Sequence, residues 1–145
     1  MRNEINAAVI HGLYNAVNQR NFEYLNTLCD AGSEWFDIPF NNTITGEASV
    51  TATWQGRFSI FPDATCEIKS LVAHDNYVIV QGVERGTHKG MFTINDEHIE
   101  PSGLTIEIGF CDVYYMNDGK IIKANSNLDV YTLFDQIYGE CKSAS

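Results

Sequence analysis

The chain has 145 residues, of which 44% are hydrophobic and 12% aromatic, so it can bury one core and form a single domain over residues 1–145. Nineteen acidic and nine basic residues give a formal net charge of −10. Such a surface repels phosphate groups, so we expect neither a nucleic-acid partner nor an anionic membrane as a partner.

The cysteines indicate a reducing compartment rather than a disulfide scaffold or a metal site. Four cysteines stand at positions 29, 66, 111 and 141, with no C-x-x-C spacing and no histidines at the spacing of a zinc site. The first residues lack the apolar run of a signal peptide, and no stretch reaches the length of a membrane span. We therefore expect a cytoplasmic protein with reduced thiols and no bound metal.

The first part of the chain predicts helices with one strand between them. Apolar residues recur at helical spacing over residues 3–19, and Asn21 is a suitable N-cap for a second, short helix. Residues 34–39 are aromatic and end at a proline, which is typical of a short strand. Helical spacing returns over residues 47–58.

From position 65 onward the composition becomes that of strands separated by turns. Segments rich in valine, isoleucine and tyrosine cover residues 66–73, 77–87, 104–116 and 121–129, and a final helix is predicted over 130–139. Helices followed by a run of antiparallel strands predict an α+β fold, with a curved sheet and helices across one face.

The alternation in the third of these strands places an acid among apolar residues. One face carries Leu104, Ile106, Ile108 and Phe110 and continues with Asp112 and Tyr114. The apolar face of a strand should lie under the helices. Asp112 therefore either reaches solvent at the end of the strand or lines a cavity.

Short motifs in a fixed order carry a resemblance to a known family. They are Phe61-Pro62-Asp63, Gly86-Thr87-His88-Lys89-Gly90, Pro101-Ser102-Gly103, Asp118-Gly119-Lys120-Ile121 and Asp129, with Leu133, Gln136 and Gly139 near the end. As an ordered set, over residues 35–139, they resemble the SnoaL-like polyketide cyclase family of the nuclear-transport-factor-2-like superfamily.

The resemblance implies a cone-shaped α+β fold, in which a curved, mainly antiparallel sheet wraps around N-terminal helices and encloses one apolar pocket. Family cyclases close a ring by intramolecular aldol condensation, with an aspartate as acid/base and no metal or cofactor. Asp129 matches that aspartate, and His88 matches the histidine of the G-T-H motif. The chain departs from the family at Lys123, Ala124 and Asn125, where relatives often carry Glu-His-Trp.

The candidate catalytic residues are Asp129, with His88 and Asp112 supporting it in one pocket. Burial there would raise the pKa of the Asp129 carboxyl, so that it could act as a base at neutral pH. Position alone also fits two structural roles: Asp129 as the N-cap of the final helix, and His88 as a histidine bonded to backbone at a bend of the sheet.

Substrate-binding candidates are aromatic and polar side chains expected on the pocket wall. They are Trp35, Asp37, Trp54, Phe58, Phe61, Phe92, Phe110, Tyr114, Asn125 and Asn127. The two asparagines rest on the resemblance, because alternation alone turns the even-numbered residues of 122–128 inward.

Three classes of function remain open at this point. The resemblance implies a cofactor-independent cyclase-type lyase or isomerase that uses an aspartate on a small apolar or polyketide-like carbonyl compound. The second class is a non-catalytic domain for ligand binding or protein association. The third is another enzyme on the same fold: a dehydratase, a steroid-type isomerase or an epoxide hydrolase. The hydrolase would need an Asp–Arg–Asp relay, for which Asp37, Arg85 and Asp112 are the plausible trio.

We also expect a homodimer. Family members commonly pair through the convex face of the sheet, which here would carry Cys111, Val113, Tyr115, Ile79 and Val83. An apolar patch of this kind rarely stays uncovered on a protein surface.

Overall fold

The computed structural model describes residues 1–94 and 96–138. Its helices are α1 (Arg2–Gln19), α2 (Phe22–Thr27), α3 (Ser49–Ile60) and α4 (Val130–Tyr138). No helix in these residues is long and apolar enough to cross a membrane. Gly139, the predicted end of the last helix and the end of the recognised motifs, lies outside the described residues.

The strands form one large sheet and one small one. They are β1 (Cys29–Asp37), β2 (Asn42–Thr45), β3 (Thr65–His74), β4 (Tyr77–Thr87), β5 (Phe92–Ile94), β6 (Glu97–Ile99), β7 (Thr105–Asn117) and β8 (Lys120–Leu128). The large sheet has the order β2-β1-β8-β7-β4-β3, and β5 pairs with β6. Only the pairing of β1 with β8 is parallel among the described pairings. The predicted α+β fold with a mainly antiparallel sheet is therefore confirmed.

The core lies between α1 and the inner face of the sheet. On α1 the residues at helical spacing, Ile10, Leu13, Tyr14 and Val17, are buried. On β7 every second residue from Ile106 to Met116 is buried, as the alternation predicted. Asp112 belongs to this inner series and is 2% exposed, so its strand carries a carboxyl group into the interior.

The turn between β7 and β8 follows directly from its sequence. Asp118 and Gly119 have φ values of 50° and 73°, the positive values that a type I′ hairpin turn requires at both central positions. The flanking residues Asn117 and Lys120 are paired in the sheet. An Asp-Gly pair between two strand-like segments is the strongest hairpin signal in the sequence, and the observed turn confirms it.

Two of the recognised motifs hold the end of α3 against the end of β4. The carboxylate of Asp63 accepts hydrogen bonds from the backbone N–H of Thr87 at 2.7 Å and from its hydroxyl at 2.8 Å. These bonds lower the pKa of Asp63. Gly90 passes so close to α3 that a Cβ there would lie 1.8 Å from the carbonyl oxygen of Ser59. The F-P-D and G-T-H motifs therefore have a clear structural role in this chain.

The outer face of the sheet carries the apolar patch that the sequence suggested. Ile79 on β4 is 44% exposed and is paired with Val72 on one side and with Val113 on the other. The rings of Tyr77 and Tyr115 lie 4.9 Å apart in the next row. These residues form a continuous surface across three strands.

The homodimer stays a prediction, and the exposed apolar surface identifies the residues that a dimer would bury. We expect a dimer that buries at least ~1,000 Å² in total, and Ile79→Lys should convert it to a monomer because a charge would enter the apolar patch. Light scattering at micromolar concentration gives the molar mass of the parent protein and of the variant, and so their oligomeric states. Ile38→Lys, at an equally exposed position outside the sheet, is the control and should stay dimeric. A monomeric parent protein would contradict the prediction.

Candidate active site

A cavity of about 450 Å³ opens where α3, the end of β1 and the β5 strand meet. Its walls are mostly apolar: the rings of Phe40, Phe61 and Phe92 and the side chains of Ile44, Ile60 and Leu133 line it. Its volume lies in the range of small-molecule sites. Three charged residues, Asp37, Arg57 and Glu84, also belong to the lining.

These three residues form one buried ionic chain. The guanidinium of Arg57 donates a hydrogen bond to Glu84 Oε1 at 2.9 Å, and its second terminal nitrogen lies 3.7 Å from Asp37 Oδ1. The Arg57 side chain is only 11% exposed, and its guanidinium lies 4.8 Å from the centre of the Trp54 ring. Arg57 is therefore fixed by a charged bond on one side and an aromatic face on the other.

Local structure explains how each charge reaches the cavity. Asp37 is the last residue of β1, two residues before Pro39, so its side chain stands where the strand stops. Arg57 follows Thr53 by four residues, so both lie on the α3 face that lines the cavity. Glu84 occupies an inward position of the alternating strand β4.

The surroundings shift the pKa values of Asp37 and Arg57, two members of this ionic chain, in different ways. Burial raises the pKa of the Asp37 carboxyl above its ordinary value, while the positive charge of Arg57 acts in the opposite direction. Burial alone would lower the pKa of Arg57, but the carboxylates of Glu84 and Asp37 raise it. Asp37 Oδ1 has no hydrogen-bond partner among the described residues. The cavity thus presents a permanently charged guanidinium beside a carboxylate of increased basicity.

A second polar cluster lies deeper in the core and does not line the cavity. Asp112 accepts hydrogen bonds from the hydroxyls of Tyr14 and of Ser126, the latter at 2.6 Å, and the hydroxyls of Tyr14 and Tyr114 lie 2.7 Å apart. Burial raises the pKa of Asp112 to about 6, and it also raises the pKa of both tyrosines. The ring of Phe110 stacks on Tyr14 at 5.7 Å.

The structure does not bring Asp129, His88 and Asp112 together, so the expected catalytic trio is corrected. Asp129 is exposed and caps α4: its carboxylate accepts from the backbone N–H of Thr132 at 3.0 Å and from the Thr132 hydroxyl at 2.6 Å. These bonds lower the pKa of Asp129, the opposite of what a buried base requires. The capping role that its position also suggested accounts for its geometry.

His88 is buried and does not line the cavity. It follows β4 directly, packs 5.8 Å from the ring of Phe61, and accepts a hydrogen bond at Nδ1 from the backbone N–H of Ser102 at 3.1 Å. Burial lowers its pKa. The alternative interpretation, a histidine bonded to backbone where the sheet bends, describes its place in the fold.

The substrate-binding candidates separate into several groups. Asp37, Phe61 and Phe92 line the cavity. The others do not: Trp35 and Tyr114 are in edge contact in the core, Phe110 stacks on Tyr14, and Trp54 and Phe58 pack against each other on α3. Asn125 and Asn127 pair with the outward residues Val113 and Cys111, so they lie on the outer face of the sheet, as alternation alone had indicated.

The trio considered for a hydrolase is also corrected. Arg85 lies on the surface, where it binds Glu67 at 2.9 Å and Glu107 at 2.8 Å. Arg57 takes its place beside Asp37, and Glu84 replaces Asp112 as the second carboxylate. Within residues 1–94 and 96–138, no group of three histidine, cysteine or acidic side chains could hold a metal ion.

Four residues of the two polar clusters were not predicted as site residues from the sequence: Arg57, Glu84, Tyr14 and Ser126. For Glu84 a signal exists, because it continues the inward series of Val78 and Val80 on β4, just as Asp112 continues the inward series of β7. Arg57 and Tyr14 carry no comparable signal, because helical residues of these types are common on exposed faces.

The profile of the SnoaL-like polyketide cyclases matches residues 8–137. The chain belongs to that family. No curated protein matches it.

Solved structures share the fold of this SnoaL-like chain at low sequence identity. IdmH, a candidate polyketide cyclase from Streptomyces antibioticus, is 22% identical with a TM-score of 0.77, covering 92% of this chain and 99% of its own. A candidate SnoaL-like polyketide cyclase from Jannaschia sp. CCS1 is 16% identical with a TM-score of 0.82, covering 93% and 92%. An LEH-like epoxide hydrolase from M. tuberculosis is 18% identical with a TM-score of 0.69, covering 95% and 92%. At these identities the likeness establishes the fold.

The buried carboxyl of Asp112 predicts a pH dependence of stability. Its pKa is about 6 in the folded chain against an ordinary value of 3.8, so between these pH values the folded state holds a proton that the unfolded chain releases. The free energy of unfolding should therefore fall as the pH rises from 4 to 7, by about 1–3 kcal/mol from this residue. Urea unfolding across this pH range measures it.

Asp112→Asn should remove this contribution, because an amide does not titrate. The exposed Asp96→Asn is the control and should keep the slope of the parent protein; its φ of 65° suits asparagine. Identical slopes for Asp112→Asn and the parent would show that Asp112 does not hold a proton in the folded state at pH 5.

Proposed function

We propose that this protein is a cofactor-independent acid/base enzyme of the cyclase type, acting on a small, uncharged carbonyl compound. The observation that carries the proposal is the Asp37 carboxylate, 9% exposed, on the wall of an apolar cavity beside the Arg57 guanidinium. An enolate-forming reaction needs a base of increased strength and a positive group for the developing oxygen charge. Asp37 and Arg57 supply the two together.

In the proposed reaction Asp37 removes a proton from the carbon next to a carbonyl group. The electron pair of that C–H bond moves into the carbonyl, and the resulting enolate oxygen lies against the guanidinium of Arg57. The enolate carbon then attacks a second carbonyl carbon of the same molecule and forms the C–C bond. The new alkoxide takes the proton back from Asp37, so the aspartate ends the cycle as a carboxylate.

Glu84 serves this reaction by holding Arg57. Its bond of 2.9 Å orients the guanidinium, and the longer 3.7 Å contact leaves Asp37 less tightly paired. A carboxylate held at that distance keeps more of the basicity that burial gives it than one bound in a short pair. Glu84 is therefore a positioning residue, and Asp37 and Arg57 are the catalytic residues of the proposal.

The cavity also restricts the charge of the substrate. Two carboxylates and one guanidinium leave a net charge of −1 among the lining residues, so an anionic substrate is disfavoured. Apolar walls and three phenylalanine rings favour a flat, polyketide-like molecule. The free thiols of Cys29, Cys66 and Cys111 agree with the cytoplasmic location that we propose.

Exchange of α-protons tests the central step without knowledge of the natural substrate. The protein should accelerate hydrogen–deuterium exchange next to the carbonyl of 1-tetralone in D₂O, followed by NMR. Asp37→Asn should slow the catalysed exchange by about 10²–10⁴-fold, because the amide keeps the shape but cannot take a proton. Asp129→Asn is the matched control and should exchange at the parent rate, since asparagine caps a helix as well as aspartate.

Two results would contradict the assignment of the base. One is catalysed exchange that survives in Asp37→Asn, and the other is exchange that disappears in Asp129→Asn. Absence of any acceleration by the parent protein would favour the non-catalytic ligand-binding function, for which the open cavity would serve equally.

A second candidate function is the hydrolysis of epoxides. The observation that favours it is the buried carboxylate–guanidinium–carboxylate chain of Asp37, Arg57 and Glu84, the type of relay that activates water against an epoxide. One carboxylate would take the proton of the attacking water, while the other, in its protonated form, would give a proton to the leaving oxygen.

Styrene oxide in ¹⁸O-labelled water separates the two functions. The hydrolase predicts a labelled diol that is lost in both Asp37→Asn and Glu84→Gln. Exchange of 1-tetralone protons without diol formation would reject the hydrolase and leave the cyclase-type reaction. Diol formation without proton exchange would reject the cyclase-type reaction.

A further inference from the structure

One wall of the cavity comes from a segment outside the large sheet. After β4 the chain leaves that sheet and returns to it at β7, and residues 89–103 between them carry the β5–β6 hairpin. β5 and β6 pair only with each other among the described strands. Phe92, Thr93 and Ile94 of β5 nevertheless line the cavity. The position of this wall therefore depends on how the two ends of the segment are held.

His88 joins both ends of that segment. Its backbone N–H donates to the carbonyl of Leu104 at 2.9 Å, and its own carbonyl accepts from the N–H of Gly103 at 2.9 Å. Its side chain adds a third link, since Nδ1 accepts from the backbone N–H of Ser102 at 3.1 Å and lies 3.0 Å from the Ser102 hydroxyl. Only this third link depends on the residue being histidine.

The side-chain link requires one particular form of the imidazole. Because Nδ1 accepts from a backbone N–H, it carries no proton, and the neutral ring then carries its proton on Nε2. The Ser102 hydroxyl accepts from the N–H of Leu104 at 3.2 Å, so its own hydrogen is free to point at Nδ1 as well. Full burial of the ring favours the neutral form.

The same ring packs against a residue of the cavity wall. It lies 5.8 Å from the ring of Phe61, which lines the cavity and stands 6.4 Å from Phe92 on β5. The start of the segment is tied to the end of α3, because the N–H groups of Lys89 and Gly90 both donate to the carbonyl of Ile60 at 3.1 and 3.0 Å. His88 thus packs against Phe61, which directly follows α3, and binds both ends of the segment that carries the β5 wall.

We propose that His88 is a positioning residue of the cavity, whose Nδ1 bond to Ser102 fixes the β5 wall at the distance that the ligand requires. The proposal deepens the proposed function, because it concerns the same cavity, but its test needs no catalysis. The imidazole acts as a hydrogen-bond acceptor that closes the base of the hairpin segment, and it touches neither the reacting atoms nor Asp37.

The test compares two substitutions at position 88 with one on the hairpin itself. His88→Asn keeps an acceptor, because the amide Oδ1 can take the place of Nδ1, whereas His88→Leu removes it and leaves the Ser102 N–H without a partner. His98→Leu is the matched control. His98 also bonds a hairpin residue through Nδ1, to the Thr93 hydroxyl at 2.9 Å, but it lies exposed on β6 and spans only the hairpin.

Two measurements follow each variant: the affinity for the uncharged fluorescent probe N-phenyl-1-naphthylamine and the hydrogen exchange of the amides of Ser102 and Gly103. His88→Leu should weaken probe binding by about tenfold and speed exchange at both amides, the effect of losing one buried acceptor. His88→Asn should restore both to within about threefold of the parent. His98→Leu should leave both unchanged.

The proposal is overturned if His88→Leu folds, by circular dichroism, and keeps the parent's probe affinity and amide protection. It is also overturned if His88→Asn performs no better than His88→Leu. If His88→Leu does not fold, ¹⁵N NMR of the His88 ring in the parent protein takes its place as the test. It distinguishes an unprotonated Nδ1 from a protonated one. A proton on Nδ1 would exclude the bond from Ser102. If the His88 variants behave as predicted but the parent protein does not accelerate proton exchange of 1-tetralone, the result counts against the proposed function and not against the role of His88.

Discussion

The buried guanidinium of Arg57 connects parts of the chain that are far apart in sequence. It comes from α3 and binds Glu84 on β4, while its second terminal nitrogen faces Asp37 at the end of β1. Removing one partner of such a chain leaves an uncompensated buried charge, which costs about 3–5 kcal/mol. The geometry of the cavity, and the basicity of its carboxylate, depend on this one side chain.

The fold places three aspartates in different environments, and the environment of each aspartate determines its chemical role. Asp37 is buried at a cavity wall beside a positive charge, so it combines access to a ligand with increased basicity. Asp112 is buried in the core, where burial raises its pKa against the opposite effect of its hydrogen bonds from Tyr14 and Ser126, and it does not line the cavity. Asp129 is exposed and bound by Thr132, so it remains a helix cap. Chemistry is expected only where burial and access coincide.

Much of the fold could be predicted because its signals are local or periodic. The alternation of β7 placed Asp112 on the apolar face of its strand, which is buried, and the Asp118-Gly119 pair predicted a hairpin, whose φ values are both positive. The site was harder to predict from the sequence, because Arg57 contacts Asp37 and Glu84 only once α3 packs on the sheet. The family motifs were misleading as a guide to chemistry: Asp129 binds Thr132 and caps α4, and His88 binds the backbone of Ser102.

The most direct test of this account is a ¹³C NMR titration of the side-chain carboxyls, without and with 1-tetralone. The account predicts that Asp37 titrates above the ordinary aspartate value of about 3.9, that Asp129 titrates below it, and that only Asp37 responds to the ketone. A low, ligand-insensitive Asp37 together with a high, ligand-sensitive Asp129 would contradict the placement of the site in the Arg57 cavity.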